Sequence, residues 1–452
     1  MQRVTTGRSG RFITITALLA VLALVLAACG GGRSDDNGGG GGGSTSGAID
    51  TSQCPTDPSK VTVEGDTITL GTSLPQSGIY SAFKEILAGS QAYLEYMNNE
   101  LGGVEIAGKK YKVELVAKDD AYEAAKTVAN VQSLLDDEVF GLFNVVGTKN
   151  NLAIRDAVNE ACVPNLLAAT GSPAWGNRDY PWLLGTFLVP YPDEMKALVD
   201  YLQAEKPEAT IAVLRANDDF GAAYSETLAS LVKGTKLKVV KVAQYDPETP
   251  DTKSQVTTLA ATKADVLVLG ATLLACPDAL KNVAASGWKP MTYMSGTCTS
   301  KTLMTIAGES GDGVISVSPL MDPANPDLVE NAAMKLYKEK IAQYGESTTD
   351  PTNGIVAYGW TAGAALQHIL ESAKAPNRLA VMESARTTTM EGLGLMPDGA
   401  EFVSNIKNDW FLGENFTLVQ YSRSAGYFAG ISELQDFNGE TASFTPKNLI
   451  DG

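Results

Sequence analysis

The side chains that most often carry out covalent or metal chemistry are scarce in this chain. It has 452 residues, a single histidine, His368, and five cysteines. His368 has a helical, apolar context, which favours a place in the core or on a helix surface over catalysis. A Ser-His-Asp hydrolase needs a histidine base, and histidine-rich metal sites need several. No Gly-x-Ser-x-Gly, Cys-x-x-Cys or P-loop pattern occurs either, so we expect no enzymatic activity, metal or cofactor.

The N-terminal stretch has the features of a secretory signal. Arg3, Arg8 and Arg11 precede an almost wholly apolar run from Phe12 to Ala28, and the segment before the run contains no acidic residue. The run is a little short for a membrane span. These features predict a signal peptide over residues 1–28.

A cysteine follows the small residues at the end of this run. The pattern Leu26-Ala27-Ala28-Cys29 resembles the lipobox of bacterial lipoproteins, in which the cysteine thiol is diacylated and becomes the new N-terminus. The alternative is an ordinary signal, or a retained anchor, in which Cys29 is incidental. Residues 29–60 are rich in Gly, Ser, Asp and Thr, so we expect a flexible linker with a reach of roughly 30 Å.

Composition limits what the remaining chain can be. About 390 residues follow the linker, which is enough for two domains of ordinary size, and no second long apolar run occurs. The formal net charge is -17, and removal of the three arginines of the signal leaves -20. Nothing resembles a basic stripe, so we expect no nucleic-acid partner.

Strand-like and helical segments alternate along the body. This pattern runs over residues 67–187 and restarts over 188–317, and the buried run at 265–270 is typical of a central parallel strand. The alternation predicts an α/β fold with doubly wound parallel sheets, in which ligands bind beyond the carboxyl ends of the strands. Helices at 326–344, 355–373 and 378–385 follow, then strands over 416–428, and residues past 439 should be loosely held.

Four turn motifs resemble those of type I periplasmic solute-binding proteins, specifically the leucine/isoleucine/valine-binding group of ABC importers. They are Gly71-Thr72-Ser73-Leu74-Pro75-Gln76-Ser77-Gly78, Asp119-Asp120, Ala168-Ala169-Thr170-Gly171-Ser172-Pro173 and Asn217-Asp218-Asp219-Phe220-Gly221. The resemblance, over about 61–435, implies two lobes joined by a three-strand hinge, which close on a ligand. It implies an extracytoplasmic monomer, held at the bacterial cell membrane through Cys29. Its partners would be a small polar organic ligand (amino acid, amide or organic acid), an ABC permease and the permease's ATPase.

The same resemblance suggests how the chain is divided. Lobe 1 would comprise residues 61–186 and 318–395, and lobe 2 residues 187–317 and 415–440. Residues 396–414 would hold the third hinge crossing, and residues 441–452 a tail.

Four cysteines remain after Cys29, and an even number in an oxidising compartment suggests disulfides. Cys54 and Cys162 can both belong to lobe 1, whereas Cys276 and Cys298 follow two strands of lobe 2. We therefore expect the pairs Cys54–Cys162 and Cys276–Cys298. The alternative is that Cys162 and Cys276 are buried free thiols.

The resemblance also implies a set of ligand-binding residues at the turns. In chain order they are Ser77, Tyr80, Thr148, Ala169, Thr170, Gly171, Phe220, Thr272, Leu273, Thr297 and Asn353. Turns between strand and helix offer free backbone N–H groups suited to a carboxylate or carbonyl oxygen. Two alternatives stay open: Thr148 could instead cap its helix, and Phe220 could belong to the core. Asp218 and Asp219 are expected to stabilise their loop.

One departure from the family bears on the ligand. Amino-acid-binding relatives hold the substrate ammonium with a glutamate after the strand that here is 290–294, but this turn reads Ser295-Gly296-Thr297-Cys298. The tyrosines that relatives often place in lobe 2 are replaced by Phe220, Thr272 and Leu273. A buried ammonium without a carboxylate partner is costly. We therefore expect a ligand without an α-ammonium, such as an amide, a urea-like solute or a small organic acid, unless Asp218 or Asp219 replaces the glutamate.

Two other functions are compatible with parts of the sequence. A sensory lipoprotein of the same fold would report ligand occupancy to a membrane receptor rather than to a transporter. A lipid-anchored hydrolase is the less favoured alternative, because the single histidine has no recognisable partner motif.

Overall fold

Two largely parallel β-sheets organise residues 49–452, the part of the chain that the computed structural model describes. The predicted signal peptide, Cys29 and the glycine run lie outside the described residues. The strands of the first sheet are β1 (Thr67–Leu74), β2 (Val104–Ile106), β3 (Lys109–Asp119), β4 (Gly141–Phe143), β5 (Asn165–Ala168) and β6 (Leu183–Gly185). They lie in the order β2-β3-β1-β4-β5-β6, and only the β2–β3 hairpin is antiparallel.

The second sheet takes its strands from two separate parts of the chain. They are β7 (Thr210–Ala216), β8 (Lys238–Tyr245), β9 (Val266–Gly270), β10 (Met291–Met294), β11 (Ile315–Ser318), β14 (Asn415–Ser422), β15 (Tyr427–Gly430) and β16 (Gln435–Asp436). The order is β15-β14-β11-β10-β9-β7-β8, with β16 paired to β14; β7 to β11 are parallel and β14 to β16 antiparallel additions. Between them, β12 (Thr387–Glu391) and β13 (Glu401–Asn405) form a two-stranded sheet.

Helices cover the sheets. In chain order they are α1 (Lys84–Tyr96), α2 (Ala124–Asp136), α3 (Thr148–Glu160), α4 (Tyr191–Glu205), α5 (Asp219–Leu231), α6 (Lys253–Ala260), α7 (Ala275–Ser286), α8 (Lys301–Ala307), α9 (Ala332–Tyr344), α10 (Gly354–Glu371), α11 (Arg378–Ala385), α12 (Thr441–Phe444) and α13 (Lys447–Asp451). Below, lobe 1 means the first sheet with α1–α3 and α9–α11, and lobe 2 the second sheet with α4–α8. The α/β class and the two-lobe architecture predicted from the sequence are confirmed.

Close packing of small residues joins α1 to α10 in lobe 1. A β-carbon on Gly89 would lie 2.1 Å from the carbonyl oxygen of Val356, and one on Gly359 would lie 2.1 Å from that of Ile86. The two backbones can approach this closely only because both positions lack a side chain. This contact brings the last long helices of lobe 1 back onto its first one.

Helix α4 was not predicted. It begins at Tyr191 between Pro190 and Pro192, and two prolines so close together are easily taken for a turn. Proline is nevertheless favoured in the first turn of a helix, where its missing N–H would have no intrahelical partner. The helix carries Tyr191, which lines the cavity described below, and the buried acids Asp193 and Glu194.

The expectation that the chain past residue 439 is loosely held is wrong. Thr441 is buried, and its hydroxyl lies between the carboxyl groups of Asp193 and Glu414. Farther along, Asn448 donates to Glu226 at 2.9 Å. Hydrogen bonds to residues distant in the sequence hold this segment, and such bonds leave no apolar periodicity in the sequence.

Both expected disulfides are present in the structure. Cys54 is bonded to Cys162 in lobe 1, and Cys276 to Cys298 in lobe 2. The second bridge joins the start of α7 to the turn after β10, at the carboxyl ends of β9 and β10. Within residues 49–452, no helix is long and apolar enough to cross a membrane.

Candidate functional site

The turns at the carboxyl ends of the two sheets enclose a cavity of about 130 Å³. The lobes touch around it. The Tyr80 hydroxyl donates to the carbonyl oxygen of Pro247 at 2.7 Å, and the Ser300 hydroxyl donates to Asn353 Oδ1 at 3.3 Å. Each of these bonds joins lobe 1 to lobe 2, so the lobes are closed on one another.

A chain of hydroxyl groups borders the lobe 1 side of the cavity. The Thr148 and Thr170 oxygens lie 2.6 Å apart, and the Thr170 oxygen lies 3.1 Å from the phenol oxygen of Tyr191, which comes from α4 in lobe 2. Thr148 is the first residue of α3, and the N-cap position belongs to Gly147, without a side-chain cap. The alternative that Thr148 caps its helix is therefore wrong.

Tyr122 is a lining residue that sequence reasoning missed. It follows β3 with a positive φ of 65°, which is rare for a bulky side chain. The carboxylate of Asp120 holds this turn: it accepts from the Tyr122 N–H at 2.8 Å, from Ser73 at 2.8 Å and from Thr127 at 2.9 Å. The Tyr122 ring also stacks on Tyr80, with 4.2 Å between the centroids. The signal available in the sequence was its position two residues after Asp120 of the Asp119-Asp120 motif.

The lobe 2 side rests on a buried carboxylate. Glu194 of α4 accepts from the Tyr224 hydroxyl at 2.8 Å, the Tyr293 hydroxyl at 2.7 Å and the Gly296 N–H at 3.1 Å. Burial raises the pKa of Glu194 to about 7, against the opposing effect of these three hydrogen bonds. Two phenols of lobe 2 therefore point to Glu194 beneath the cleft surface rather than to the cavity.

Apolar side chains make up most of the cavity lining. They come from both lobes and from the segment after β11, and include Phe83, Ile86, Phe220, Leu320, Met321 and Phe428. Among the described lining residues there is no lysine, arginine or histidine, and Asp322 is the single carboxylate. Asp322 accepts backbone N–H groups of Ala324 at 2.8 Å and Phe428 at 2.9 Å, and burial raises its pKa.

The predicted ligand-binding residues fall into three groups. Those that line the cavity are Ala169, Thr170, Phe220, Thr272 and Thr297. Two residues lie next to the cavity. The Thr148 hydroxyl contacts that of the lining residue Thr170, and the Gly171 carbonyl accepts the Tyr191 N–H at 2.9 Å. Those engaged elsewhere are Ser77, bonded to Asp119, Tyr80, bonded to Pro247, Asn353, which caps α10, and Leu273, which is fully buried. Their roles in binding stay predictions.

Asp218 and Asp219 do not reach the cavity lining. The Asp218 carboxylate caps α5 by accepting the Gly221 N–H at 3.0 Å, and Asp219 is exposed. The cap made by Asp218 fits the loop-stabilising role expected from the sequence, whereas for Asp219 that role stays a prediction. The acid that does line the cavity, Asp322, lies in the segment after β11, in which the sequence suggested no ligand-binding residue.

The sequence profile of the periplasmic binding protein family matches residues 67–425. The chain belongs to this family. Like other periplasmic binding proteins, it works outside the cytoplasm and binds small ligands.

Solved structures with the same fold align with most of the chain of this periplasmic binding protein. A branched-chain amino acid ABC transporter protein from Thermus thermophilus, with bound valine, is 17% identical over 83% of this chain and 97% of its own, with a TM-score of 0.72. A fatty acid ABC transporter substrate-binding protein from Thermomonospora curvata is 20% identical over 85% and 96%, with a TM-score of 0.71. A solute-binding protein from R. palustris in complex with benzoate is 18% identical over 81% and 96%, with a TM-score of 0.68.

Proposed function

We propose that this protein is the lipid-anchored solute-binding component of an ABC importer. It captures a small, largely apolar solute that carries an oxygen-bearing head group and no ammonium, and delivers it to the permease. The observation that carries this proposal is the lining of the cleft, in which apolar side chains and hydroxyl groups surround one carboxylate. Pockets of this kind bind the ligand body by burial and orient it with a few polar groups.

The absence of an acid in the turn Ser295-Gly296-Thr297-Cys298 supports a ligand without an ammonium. Here Gly296 donates its N–H to Glu194, whose carboxylate is fully buried below the turn and already accepts three hydrogen bonds. An ammonium at this turn would meet hydroxyl and backbone groups only. Leaving a buried charge without its partner typically costs 3–5 kcal/mol.

Two charged groups near the cavity favour different ligands and give a way to test the assignment. Lys149 lies with its ammonium 5.1 Å from the centre of the Tyr122 ring, which favours a carboxylate head. Asp322 lines the cavity and is the group that an ammonium would seek. We propose that Asp322 instead holds the segment after β11 in place, because both of its oxygens already accept backbone N–H groups.

Thermal-shift screening against amino acids, amides, aromatic acids, aliphatic acids and polyols tests the function. A ligand at 100 times its dissociation constant raises the free energy of unfolding by about 2.7 kcal/mol. We expect stabilisation by acids or amides and none by the amino acids. Stabilisation by amino acids that disappears in Asp322→Asn would contradict the proposed ligand class and assign the ammonium to Asp322.

Anchoring is the second part of the proposal. The order of arginines, apolar run and Leu26-Ala27-Ala28-Cys29 supports lipidation of Cys29. Acyl chains contribute about 0.8 kcal/mol per buried CH₂, so two or three chains hold a protein at a membrane. Cys29→Ser should release the protein from membranes or leave it unprocessed. Unchanged processing and membrane retention in this variant would refute the lipoprotein interpretation.

A further inference from the structure

We propose that the hydroxyl groups of Tyr122 in lobe 1 and Thr272 in lobe 2 together bind the oxygen-bearing head of the ligand. The inference rests on the proposed function and makes it more specific, because it assigns the contacts that select the head group and names an oxygen acceptor as the selected chemistry. Carboxylates and amide carbonyls are acceptors of this kind.

These two hydroxyls differ from the others in the cavity lining. The remaining side-chain hydroxyls of the lining each have a protein partner: Thr170, Tyr191, Thr297, Thr299, Ser318 and Tyr358. Within residues 49–452, the Tyr122 and Thr272 hydroxyls have none, although Tyr122 is 7% exposed and Thr272 6% exposed. Neither hydroxyl oxygen is among the fully buried side-chain atoms without a partner, so both can be reached from the cavity and are free to donate to a ligand oxygen.

The backbone of each residue is held in place while its hydroxyl stays unpaired. Asp120 accepts the Tyr122 N–H at 2.8 Å, and the Thr272 N–H donates to the Tyr245 hydroxyl at 3.4 Å. Tyr122 also keeps a positive φ of 65°. A bulky residue adopts this conformation only where surrounding contacts impose it, and such residues cluster at ligand sites.

The two donors come from opposite sides of the cleft, so a ligand oxygen that reaches both would link the lobes. Opening the lobes would break at least one of these bonds, and a bound ligand would therefore favour the closed form. This arrangement couples recognition of the head group to closure. A solute that lacks an acceptor could fill the apolar part of the cavity but would leave both hydroxyls unpaired.

Calorimetry on the full-length protein in mild detergent tests the inference, with benzoate and benzamide as probes. Tyr122→Phe and Thr272→Val should each weaken binding of the probe that binds wild type by about tenfold, since a lost hydrogen bond of this strength changes the affinity by roughly that factor. Tyr337→Phe is the matched control, because Tyr337 is another buried tyrosine without a hydroxyl partner, outside the cavity. Its affinity should equal that of wild type.

The double variant Tyr122→Phe/Thr272→Val distinguishes a shared oxygen from two separate contacts. If both hydroxyls bind one head group, the double variant should lose less than the product of the two single losses. Wild-type affinity in both single variants, with unchanged melting temperatures, would overturn this inference and leave the proposed function standing. Failure of wild type to bind either probe would instead overturn the proposed ligand class and this inference with it.

Discussion

The two faces of the cleft are built in different ways. The lobe 1 face is formed by turns with left-handed backbone conformations, at Tyr122, Asn144 and Gly147, where φ is 65°, 56° and 103°. The lobe 2 face has one such residue, Leu273, and is braced from below by Glu194 and by the Cys276–Cys298 bridge. Lobe 1 thus positions polar groups through its backbone, whereas lobe 2 is shaped by buried side chains and a covalent bond.

The two disulfides allow the largest test of this difference. Cys54→Ser/Cys162→Ser opens a bridge with a sequence separation of 108, and Cys276→Ser/Cys298→Ser one with a separation of 22. On the chain-entropy account, we expect the free energy of unfolding to fall by about 4–5 kcal/mol in the first variant and about 3 kcal/mol in the second. Chemical denaturation of both variants measures the two losses.

Ligand binding should show the opposite order. The Cys276–Cys298 bridge lies beside Thr272 and Thr297 on the cleft face, whereas Cys54–Cys162 lies away from the cavity lining. The lobe 2 variant should bind a probe ligand more weakly than wild type, and the lobe 1 variant should keep its affinity. Equal affinities in the two variants would show that the bridge does not shape the lobe 2 face.

Substitution of Glu194 should have the next largest effect on the free energy of unfolding. Glu194→Leu leaves the Tyr224 and Tyr293 hydroxyls and the Gly296 N–H without their acceptor. Because stranding a buried polar group costs about 1–3 kcal/mol, we expect a loss of about 3 kcal/mol or more. Glu194→Gln, which keeps one oxygen in place, is the control and should lose less. A Leu variant as stable as the Gln variant would mean that Glu194 does not brace lobe 2.

The smallest effect is a pH dependence that has opposite signs at Glu194 in lobe 2 and at Asp119 in lobe 1. Burial raises the pKa of Glu194 to about 7, so its folded form binds a proton more tightly than its unfolded form. Its contribution to stability is therefore complete below its ordinary pKa of 4.5 and declines as the pH rises towards 7. Burial also raises the pKa of Asp193 and Glu414, which adds to the same decline.

Asp119 in lobe 1 should behave in the reverse way. Burial raises its pKa, but hydrogen bonds from Ser77 and from the backbone N–H groups of Gln76 and Ala121 outweigh this and hold the pKa below its usual value. Its stabilisation should be lost as the pH falls through that lowered pKa. Melting curves from pH 3 to 8 should show a weaker decline at the upper end in Glu194→Gln, and a weaker loss at the acidic end in Asp119→Asn. Profiles that match wild type in both variants would contradict this assignment.

The sequence predicted those elements whose pattern is local. The central parallel strand expected at 265–270 is β9, and the helix expected at 378–385 is α11. The sequence did not predict α4, because Pro190 and Pro192 conceal the start of the helix. As a result it did not predict the contacts of Tyr191 and Glu194 either. Their importance arises from contacts with residues far along the chain, such as Tyr293, which no local pattern records.

The candidate site was predictable only in part for the same reason. Thr170, Phe220, Thr272 and Thr297 follow strands, and parallel topology places such turns at one edge of a sheet. Tyr122 also follows a strand, but its place in the lining depends on its positive φ and on the hydrogen bonds that Asp120 accepts. Asp322 reaches the cavity because the segment after β11 passes along the cleft, which depends on how the two lobes are joined.

The central claim is that the cleft binds an oxygen-bearing, largely apolar solute and rejects an α-ammonium. Calorimetry with L-leucine and 4-methylpentanoate, which is leucine without its amino group, tests it with a single chemical difference. We expect 4-methylpentanoate to bind at least about tenfold more tightly, because the turn after β10 offers an ammonium no carboxylate. Sub-micromolar binding of leucine, tighter than that of 4-methylpentanoate, would contradict the claim.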